Sequence, residues 1–287
     1  MEKLYNIAPK RIFTFGCSFT DYIWGTWANI LGHEFKKSEF YNYGKSGAGN
    51  SYIANMVTQV DNFYKFKKDD LVLISWTNIS REDRFLESRN GWLTPGNIYT
   101  QNEYDSTFVK KWANDTHFAL RDYSTISLVD QYLANKTQYH FLSMCNISTT
   151  IDQWAEEKAE SNISNLSHNY GHCLKKISPS FYETLWNNNL QNKWESDWNI
   201  VHKYFSDGHP LPMEHLAYLQ KTFDYEFNSK TISSVKKTQN SLITYLRKKY
   251  DTVTKNTGLY EFDQKWQDGI RQQFKLRNSS RHQDILN

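Results

Sequence analysis

Apolar residues occur along the first half of the chain in two patterns, short contiguous runs and longer segments with an apolar residue every three or four positions. The first pattern is typical of buried strands and the second of amphipathic helices. The predicted strands are 11–16 (RIFTFG), EFYNYG at 39–44, DDLVLISWTN at 69–78 and QYHFLSM at 138–144. The predicted helices between them are 24–35, 50–66 and 116–136. Strands that alternate with helices in this way predict an α/β fold with a parallel sheet and helices on both faces.

Two segments interrupt this alternation. Residues 80–115 contain a Gly/Pro turn, NGWLTPGN, within a polar stretch, and residues 147–205 are rich in Asn and aromatic residues. Loops of this length in a compact domain usually have a function. We therefore expect both insertions to lie over the carboxyl ends of the strands, where parallel sheets bind ligands. Beyond residue 216 the pattern predicts helices, the last of them around 259–276.

Composition excludes some classes of protein. The chain has 287 residues and a net charge of only +3, and its Lys and Arg residues form no long block. These features argue against nucleic acid as the main partner. No apolar run reaches the length of a membrane helix, so we expect no membrane partner. Aromatic residues make up 16% of the chain, and such rings also line ligand clefts.

The cysteines indicate a compartment. There are three, Cys17, Cys145 and Cys173, an odd number at irregular spacing. A disulfide framework is therefore not expected, and a cytoplasmic or other reducing compartment fits best. Residues 1–20 also lack the charged start and apolar core of a signal peptide.

Candidate catalytic groups lie at the predicted strand ends and in one late loop. Ser18 follows the first strand in FGCSFT, and Asp207 and His209 occur together in SDGHP. Ser, His and Asp are the residue types of a nucleophile, a general base and the group that orients the base. The backbone N–H groups of Gly47 and Ser18 and the side chain of Asn78 are candidate donors to a developing oxyanion.

The order of these groups resembles the SGNH, or GDSL-like, hydrolase superfamily, which is named for a Ser, a Gly, an Asn and a His in four short blocks. FGCSFT resembles the first block, NYGKSGAGN the second, SWTN the third and DGHP the last. The resemblance spans residues 11–225 approximately. It implies a flavodoxin-like three-layer αβα fold, Ser18 as nucleophile, a triad completed by Asp207 and His209, and an oxyanion hole formed by Ser18, Gly47 and Asn78.

The chain departs from the family pattern in three blocks. Cys17 stands where the family often has Asp, Trp76 where the third block has Gly, and Ile79 where it has Asp. The last block is Asp-Gly-His, one residue shorter than the usual Asp-x-x-His. Some relatives with acyltransferase activity use Asp-x-His, so the shorter spacing is a variant of the pattern.

Simpler roles remain open for several of these residues. Ser18 is also suited to cap a helix, Gly47 to form a turn, and Asn78 to cap the segment that follows it. Cys17 is a second candidate nucleophile. Neighbouring residues near a strand end point in opposite directions, so only one of the pair faces the site, and the family pattern selects Ser18.

Other motifs carry less weight. GKS at 44–46 lacks the glycine five positions earlier that a phosphate loop requires. His215 falls on a predicted helix and is expected to be structural. His168 and His172 are four residues apart, but no Glu base pattern accompanies them. We therefore predict no metal and no cofactor.

We predict one domain over residues 1–287, an SGNH-type serine esterase with the two insertions. The Asn-rich aromatic insertions favour an O-acylated carbohydrate as substrate, or another small ester. Arg81 and Arg84 are candidate ligands of an acidic group on it. We expect at least one of five tryptophans to face the substrate groove: Trp76, Trp92, Trp186, Trp194 or Trp198. The alternatives are an O-acyltransferase of the same fold and a catalytically inactive glycan-binding or structural module.

Overall fold

The computed structural model describes residues 2–100, 103–148, 157–186, 196–197, 199–201, 209–253 and 273–274. The strands in this part of the chain are β1 (Arg11–Phe15), β2 (Glu39–Asn42), β3 (Asp70–Trp76), β4 (Arg84–Leu86), β5 (Gly91–Leu93) and β6 (Gln138–Ser143). The helices are α1 (Trp27–Glu34), α2 (Asn50–Tyr64), α3 (Ser106–Trp112), α4 (Asp115–Leu133), α5 (Glu157–Asn169), α6 (Gly171–Leu174), α7 (Phe181–Trp186), α8 (Pro212–Thr222) and α9 (Ser229–Val253).

The central sheet has the strand order β2-β1-β3-β6, and all its pairs are parallel. Its register places Thr14 of β1 between Asn42 of β2 and Leu73 of β3. This order, with helices between successive strands, is that of a three-layer α/β fold. The fold class predicted from the alternation of elements is confirmed.

The sheet is the centre of the hydrophobic core. Every residue of β3 is buried, as expected for a strand covered by helices on both faces. Phe13 and Phe15 lie on one face of β1, and they stack on Tyr41 and Tyr43 of the neighbouring chain segment. Burial on both faces explains why the strand sequences are continuous apolar runs without alternation.

The first insertion folds into defined elements. Strands β4 and β5 form an antiparallel hairpin, and α3 follows it. The side chain of Asp105 accepts hydrogen bonds from the backbone N–H groups of Thr107 and Phe108, which caps the first turn of α3. The first insertion therefore forms regular secondary structure, and its helix has a capping residue of its own.

The described part of the second insertion is helical and contributes to the core. Ile163 on α5, Cys173 on α6 and Phe181 on α7 are almost fully buried in the same hydrophobic cluster as β1 and β3. The segment from 157 to 186 therefore covers apolar surface as well as extending the chain beyond the sheet.

The C-terminal half of the chain contains the predicted helices. Helix α8 begins at Pro212, a residue well suited to the first turn because the N–H it lacks would have no partner there. The helix predicted around 259–276 lies outside the described residues except for 273–274. None of the described helices has the length and apolar character needed to cross a membrane.

Candidate active site

The turn after β1 carries the candidate nucleophile. The N–H groups of Thr20 and Asp21 both donate to the carbonyl of Cys17, at 2.9 and 3.1 Å, which closes the turn tightly. A Cβ on Gly16 would lie 2.1 Å from Thr20 Oγ1 and 3.0 Å from the Ser75 carbonyl, so this position requires glycine. The turn therefore brings Ser18 to the carboxyl edge of the sheet.

The two candidate nucleophiles of this turn have different surroundings. The thiol of Cys17 is fully buried and lies 3.8 Å from Met144 Sδ. Ser18 retains 8% of its exposure. A fully buried thiol is not accessible to a substrate in this structure. Ser18 is therefore the better placed of the two.

The candidate base lies against the same turn. The ring of His209 stacks on Tyr22, with centroids 3.9 Å apart and planes inclined by 10°, and lies 5.4 Å from the ring of Phe19. The indole N–H of Trp24 donates to the carbonyl of Pro210 at 2.9 Å, which ties the His209 segment to the chain beyond Ser18. Tertiary contacts thus bring His209 beside the Ser18 turn. Asp207 lies outside the described residues.

His215, the second histidine of this region, is on α8. Its ring is buried and meets the edge of Phe181 at a centroid distance of 5.2 Å. Burial, together with a smaller contribution from the nearby His209, lowers the pKa of His215 to about 3. His215 is therefore neutral at physiological pH.

Asn78 has one end of its amide already assigned. Its Oδ1 accepts a hydrogen bond from the backbone N–H of Ser80 at 2.5 Å. Only the oxygen of a side-chain amide accepts a hydrogen bond, so this contact identifies Oδ1 and leaves Nδ2, the donor, at the opposite end. Asn78 is buried and lies two residues beyond Trp76, the last residue of β3. It has the geometry of a fixed N–H donor at the sheet edge.

The loop after β2 carries Gly47 and is covered by the β4–β5 hairpin. Gly47 has a φ of +74°, and a Cβ there would lie 2.0 Å from the carbonyl oxygen of Thr94. Thr94 Oγ1 donates to the carbonyl of Ser46 at 3.0 Å, and Lys45 Nζ donates to the carbonyl of Trp92 at 2.7 Å. Glycine is required at 47 both by backbone conformation and by this close approach.

Arg81 and Arg84 differ in what they contact. Arg81 Nη1 donates to the carbonyl of Ala48 at 2.8 Å, and Nη2 lies 3.7 Å from Met144 Sδ, so its guanidinium is directed at the Gly47 loop. Arg84 is exposed on the hairpin and lies over the ring of Phe108. The prediction that Arg81 binds substrate stays a prediction, and the observed partner of Arg81 is the protein backbone.

The predicted substrate contact of Trp76 needs correction. Its side chain is fully buried in β3 and packs edge-on against Phe141 at a centroid distance of 5.5 Å. The central strand of a sheet covered on both faces has no exposed side, which is why the ring belongs to the core. Trp92 is half-buried beside the Gly47 loop, whereas the side chains of Trp186, Trp194 and Trp198 lie outside the described residues.

Three buried polar residues beside the candidate site were not singled out from the sequence. Asn50 is the last residue of the NYGKSGAGN block, and its side chain bonds to the backbone of Thr77. Asp83 and Asp122 are buried carboxylates that hold the loops around it. Burial raises the pKa of Asp83, and it raises that of Asp122 to about 6 against the opposing effect of Arg121. In the sequence, the one sign of such a role was the position of Asn50, a polar residue at the end of a glycine-rich block.

Within the part of the chain that the structure describes, no group of three or more His, Cys, Asp or Glu residues is arranged to hold a metal ion. His168 is exposed, and His172 Nε2 lies 3.2 Å from Ser127 Oγ.

With this geometry the first three sequence blocks lie at the carboxyl ends of β1, β2 and β3. No protein-family model matches the chain, and no curated protein matches it in sequence.

Three solved structures that are similar to this chain are a lipolytic protein, an acetylxylan esterase and a GDSL-like lipase. A lipolytic protein of the G-D-S-L family from Veillonella parvula has 14% sequence identity and a TM-score of 0.41, over 74% of this chain and 94% of that chain. An acetylxylan esterase from Geobacillus stearothermophilus has 13% identity and a TM-score of 0.40, over 78% and 98%. A GDSL-like lipase from Bacteroides thetaiotaomicron has 16% identity and a TM-score of 0.32, over 61% and 69%.

Proposed function

We propose that the chain is a serine esterase in which Ser18 is the nucleophile and His209 the general base. The observation that carries the proposal is the packing of the His209 ring on Phe19, in the turn that presents Ser18, and on Tyr22 just after that turn. A hydroxyl is a weak nucleophile near neutral pH and needs such a base close by. Asp207 is proposed to orient His209 on the evidence of the sequence block alone.

The proposed reaction has two steps, acylation and deacylation of Ser18, and both steps use the same groups. Ser18 Oγ attacks the ester carbonyl carbon while its proton passes to a ring nitrogen of His209. The backbone N–H groups of Ser18 and Gly47 and the Nδ2 of Asn78 donate to the resulting oxyanion. His209 then protonates the leaving alkoxide as the C–O bond breaks, which leaves Ser18 acylated. Water attacks the acyl-enzyme in the same way, releases the acid and restores Ser18.

A serine-reactive organophosphonate tests the proposal directly. We expect one phosphonyl group per chain, located on Ser18 by mass spectrometry, with parallel loss of p-nitrophenyl acetate hydrolysis. Ser88 is exposed on the hairpin and gives the matched control, because Ser88→Ala should leave both labelling and hydrolysis unchanged. A folded protein that is neither labelled nor active would overturn the esterase and favour the non-catalytic module.

We further propose an O-acylated carbohydrate as the substrate class. Support comes from aromatic residues on the hairpin over the Gly47 loop. Trp92 is half-buried there, and its ring centroid lies 5.8 Å from that of Tyr52 and 6.0 Å from that of Phe85. Phe85 is exposed. Aromatic faces of this kind stack on the C–H surfaces of sugars.

The variant Trp92→Ala tests whether the enzyme recognises the carbohydrate part of its substrate or only the ester group. It should raise KM for an acetylated oligosaccharide while leaving p-nitrophenyl acetate hydrolysis nearly unchanged. Equal effects on both substrates, or a preference for long acyl chains, would refute the carbohydrate assignment and leave the Ser18 mechanism standing.

We also propose that the protein works in a reducing compartment. Cys17, Cys145 and Cys173 are all free and buried. Titration of the denatured protein, isolated without reductant from its natural source, should find three thiols, and a disulfide would contradict the proposal.

A further inference from the structure

The loops that carry Gly47 and Asn78 hold each other through their side chains. Asn50, at the end of the first loop, bonds to the backbone of Thr77 in the second. In return, Arg81 and Asp83 of the second loop bond to the backbone of the first. Neither loop therefore takes its position independently.

The contact from Asn50 is bidentate. Its Oδ1 accepts from the N–H of Thr77 at 2.9 Å, and its Nδ2 donates to the carbonyl of the same residue at 3.0 Å. Both peptide groups of Thr77 are thus held, which sets the direction in which the chain enters Asn78. The second hydrogen of Nδ2 is donated to Asp122 Oδ2 at 2.7 Å.

The return contacts hold the segment that follows Gly47. Arg81 Nη1 donates to the carbonyl of Ala48 at 2.8 Å. Asp83 accepts from the N–H of Gly49 at 2.8 Å through Oδ1 and from that of Tyr52 at 2.9 Å through Oδ2. A carboxylate at this place also neutralises the positive end of α2.

Asp122 and Arg121 support the contact from behind. Asp122 is fully buried and accepts from Arg121 Nε at 2.7 Å as well as from Asn50. Arg121 Nη2 donates to the carbonyl of Arg81 at 2.8 Å. The rotamer of Asn50 is therefore set by a buried network on α4, a helix that contributes none of the proposed catalytic groups.

We propose that Asn50 is a positioning residue that holds Asn78 in line with Gly47 as paired donors to the oxyanion. The proposal rests on the esterase function above and assigns Asn50 no contact with substrate. Oxyanion donors act only when they lie within about 2.7–3.1 Å of the position that the charged oxygen takes. Two donors on separate loops meet that requirement when the loops are cross-linked, and the Asn50 contact is with Thr77, the residue next to Asn78.

Asn50→Asp is the sharpest variant. The carboxylate still accepts from the Thr77 N–H, but it loses both donated hydrogen bonds and faces the Asp122 carboxylate. We expect kcat for p-nitrophenyl acetate to fall on the order of tenfold or more with little change in KM, because the lost interaction forms only in the transition state. Asn55→Asp is the matched control, since Asn55 is exposed on the same helix and donates to the Ser51 carbonyl.

A double-mutant cycle with Asn78→Ala separates positioning from general stability. If Asn50 acts through Asn78, Asn50→Asp costs nothing further once Asn78 is alanine, so the two losses do not multiply. Multiplying losses, or wild-type kcat in folded Asn50→Asp, would overturn the proposal. If Asn50→Asp does not fold, Asp122→Asn serves in its place and should lower kcat several-fold with the same dependence on Asn78.

The outcome is distinguishable from failure of the esterase function itself. One outcome is that Ser18 is labelled in the wild-type protein while the kcat losses of Asn50→Asp and Asn78→Ala multiply. That outcome refutes only the positioning role of Asn50. Failure of wild-type labelling refutes the function first, before any Asn50 variant is measured.

Discussion

The imidazole of His209 lies face to face with the phenol ring of Tyr22, with centroids 3.9 Å apart and ring planes inclined by only 10°. Tyr22 is half-buried and in turn meets Trp24 edge-on at 4.6 Å. Because Trp24 also donates to the carbonyl of Pro210, these two aromatic residues contact the ring of the candidate base and the backbone of the residue that follows it.

This stack leads to a prediction about Tyr22. An aromatic pair contributes about 0.5–1.5 kcal/mol beyond simple burial, so Tyr22→Ala should lower kcat by about three- to tenfold through loss of His209 orientation. Tyr22→Phe keeps the ring and should retain most of the activity. Steady-state kinetics of both variants checks this, and an equal loss in the two would assign the effect to the hydroxyl and not to the stack.

The position of Ser18 beside a buried Cys17 leads to a second prediction. Ser18→Ala should abolish ester hydrolysis, whereas folded Cys17→Ala should keep most of it, because its thiol lies in the core against Met144. Hydrolysis rates of the two variants are compared at equal folded fraction. The reverse result would identify a cysteine enzyme.

The assigned amide orientation of Asn78 predicts the effect of removing its donor. Asn78→Ala should reduce kcat on the order of a hundredfold, the usual loss for one oxyanion donor. Asn78→Asp keeps the acceptor for the Ser80 N–H but replaces Nδ2 by an oxygen, so it should be at least as damaging. Activity in Asn78→Asp near that of wild type would remove Asn78 from the oxyanion site.

The contact between Gly47 and Thr94 predicts that alanine is not tolerated. A side chain at a φ of +74° costs about 1–2 kcal/mol, and its Cβ would meet the Thr94 carbonyl at 2.0 Å. Gly47→Ala should therefore lower the unfolding temperature and the activity together. Gly91→Ala in the hairpin is the control, since its Cβ would be 3.5 Å from the nearest carbonyl oxygen. Unchanged thermal unfolding in Gly47→Ala would show that the hairpin moves freely away from the loop.

The buried state of His215 predicts a pH dependence of stability. Burial lowers its pKa from 6.5 to about 3. Between these two pH values the imidazole is protonated in the unfolded chain but stays neutral in the folded protein. Its contribution to stability is lost progressively as the pH falls toward 3. His215→Phe should shift the acid midpoint of unfolding to lower pH, as followed by circular dichroism.

His168→Phe is the control for that measurement, because His168 is exposed on α5. Burial raises the pKa of Asp122 to about 6, which gives a dependence of opposite sign that both variants share with wild type. An acid midpoint that moves equally in the two variants would show that His215 is protonated in the folded protein.

The amino-acid sequence alone determined the sheet and the order of the site. Continuous apolar runs at β1 and β3, and helical spacing in α2 and α4, are local patterns that report burial directly, so element types were predictable with small errors at their ends. The sequence positions of Ser18, Gly47 and Asn78 at strand ends followed from the same patterns. The resemblance to a four-block family added roles to positions that the pattern had already placed.

Only the tertiary structure decided how those positions are held. The stacking of His209 on Tyr22 and the hydrogen bonds between Asn50 and Thr77 join residues that are distant in the chain. No local sequence pattern specifies which distant partner a polar side chain contacts. The burial of Trp76 was likewise invisible, because a tryptophan at a strand end is equally suited to a groove or a core. Packing on both faces of β3 settled that choice, since the core there has no side left open to a substrate.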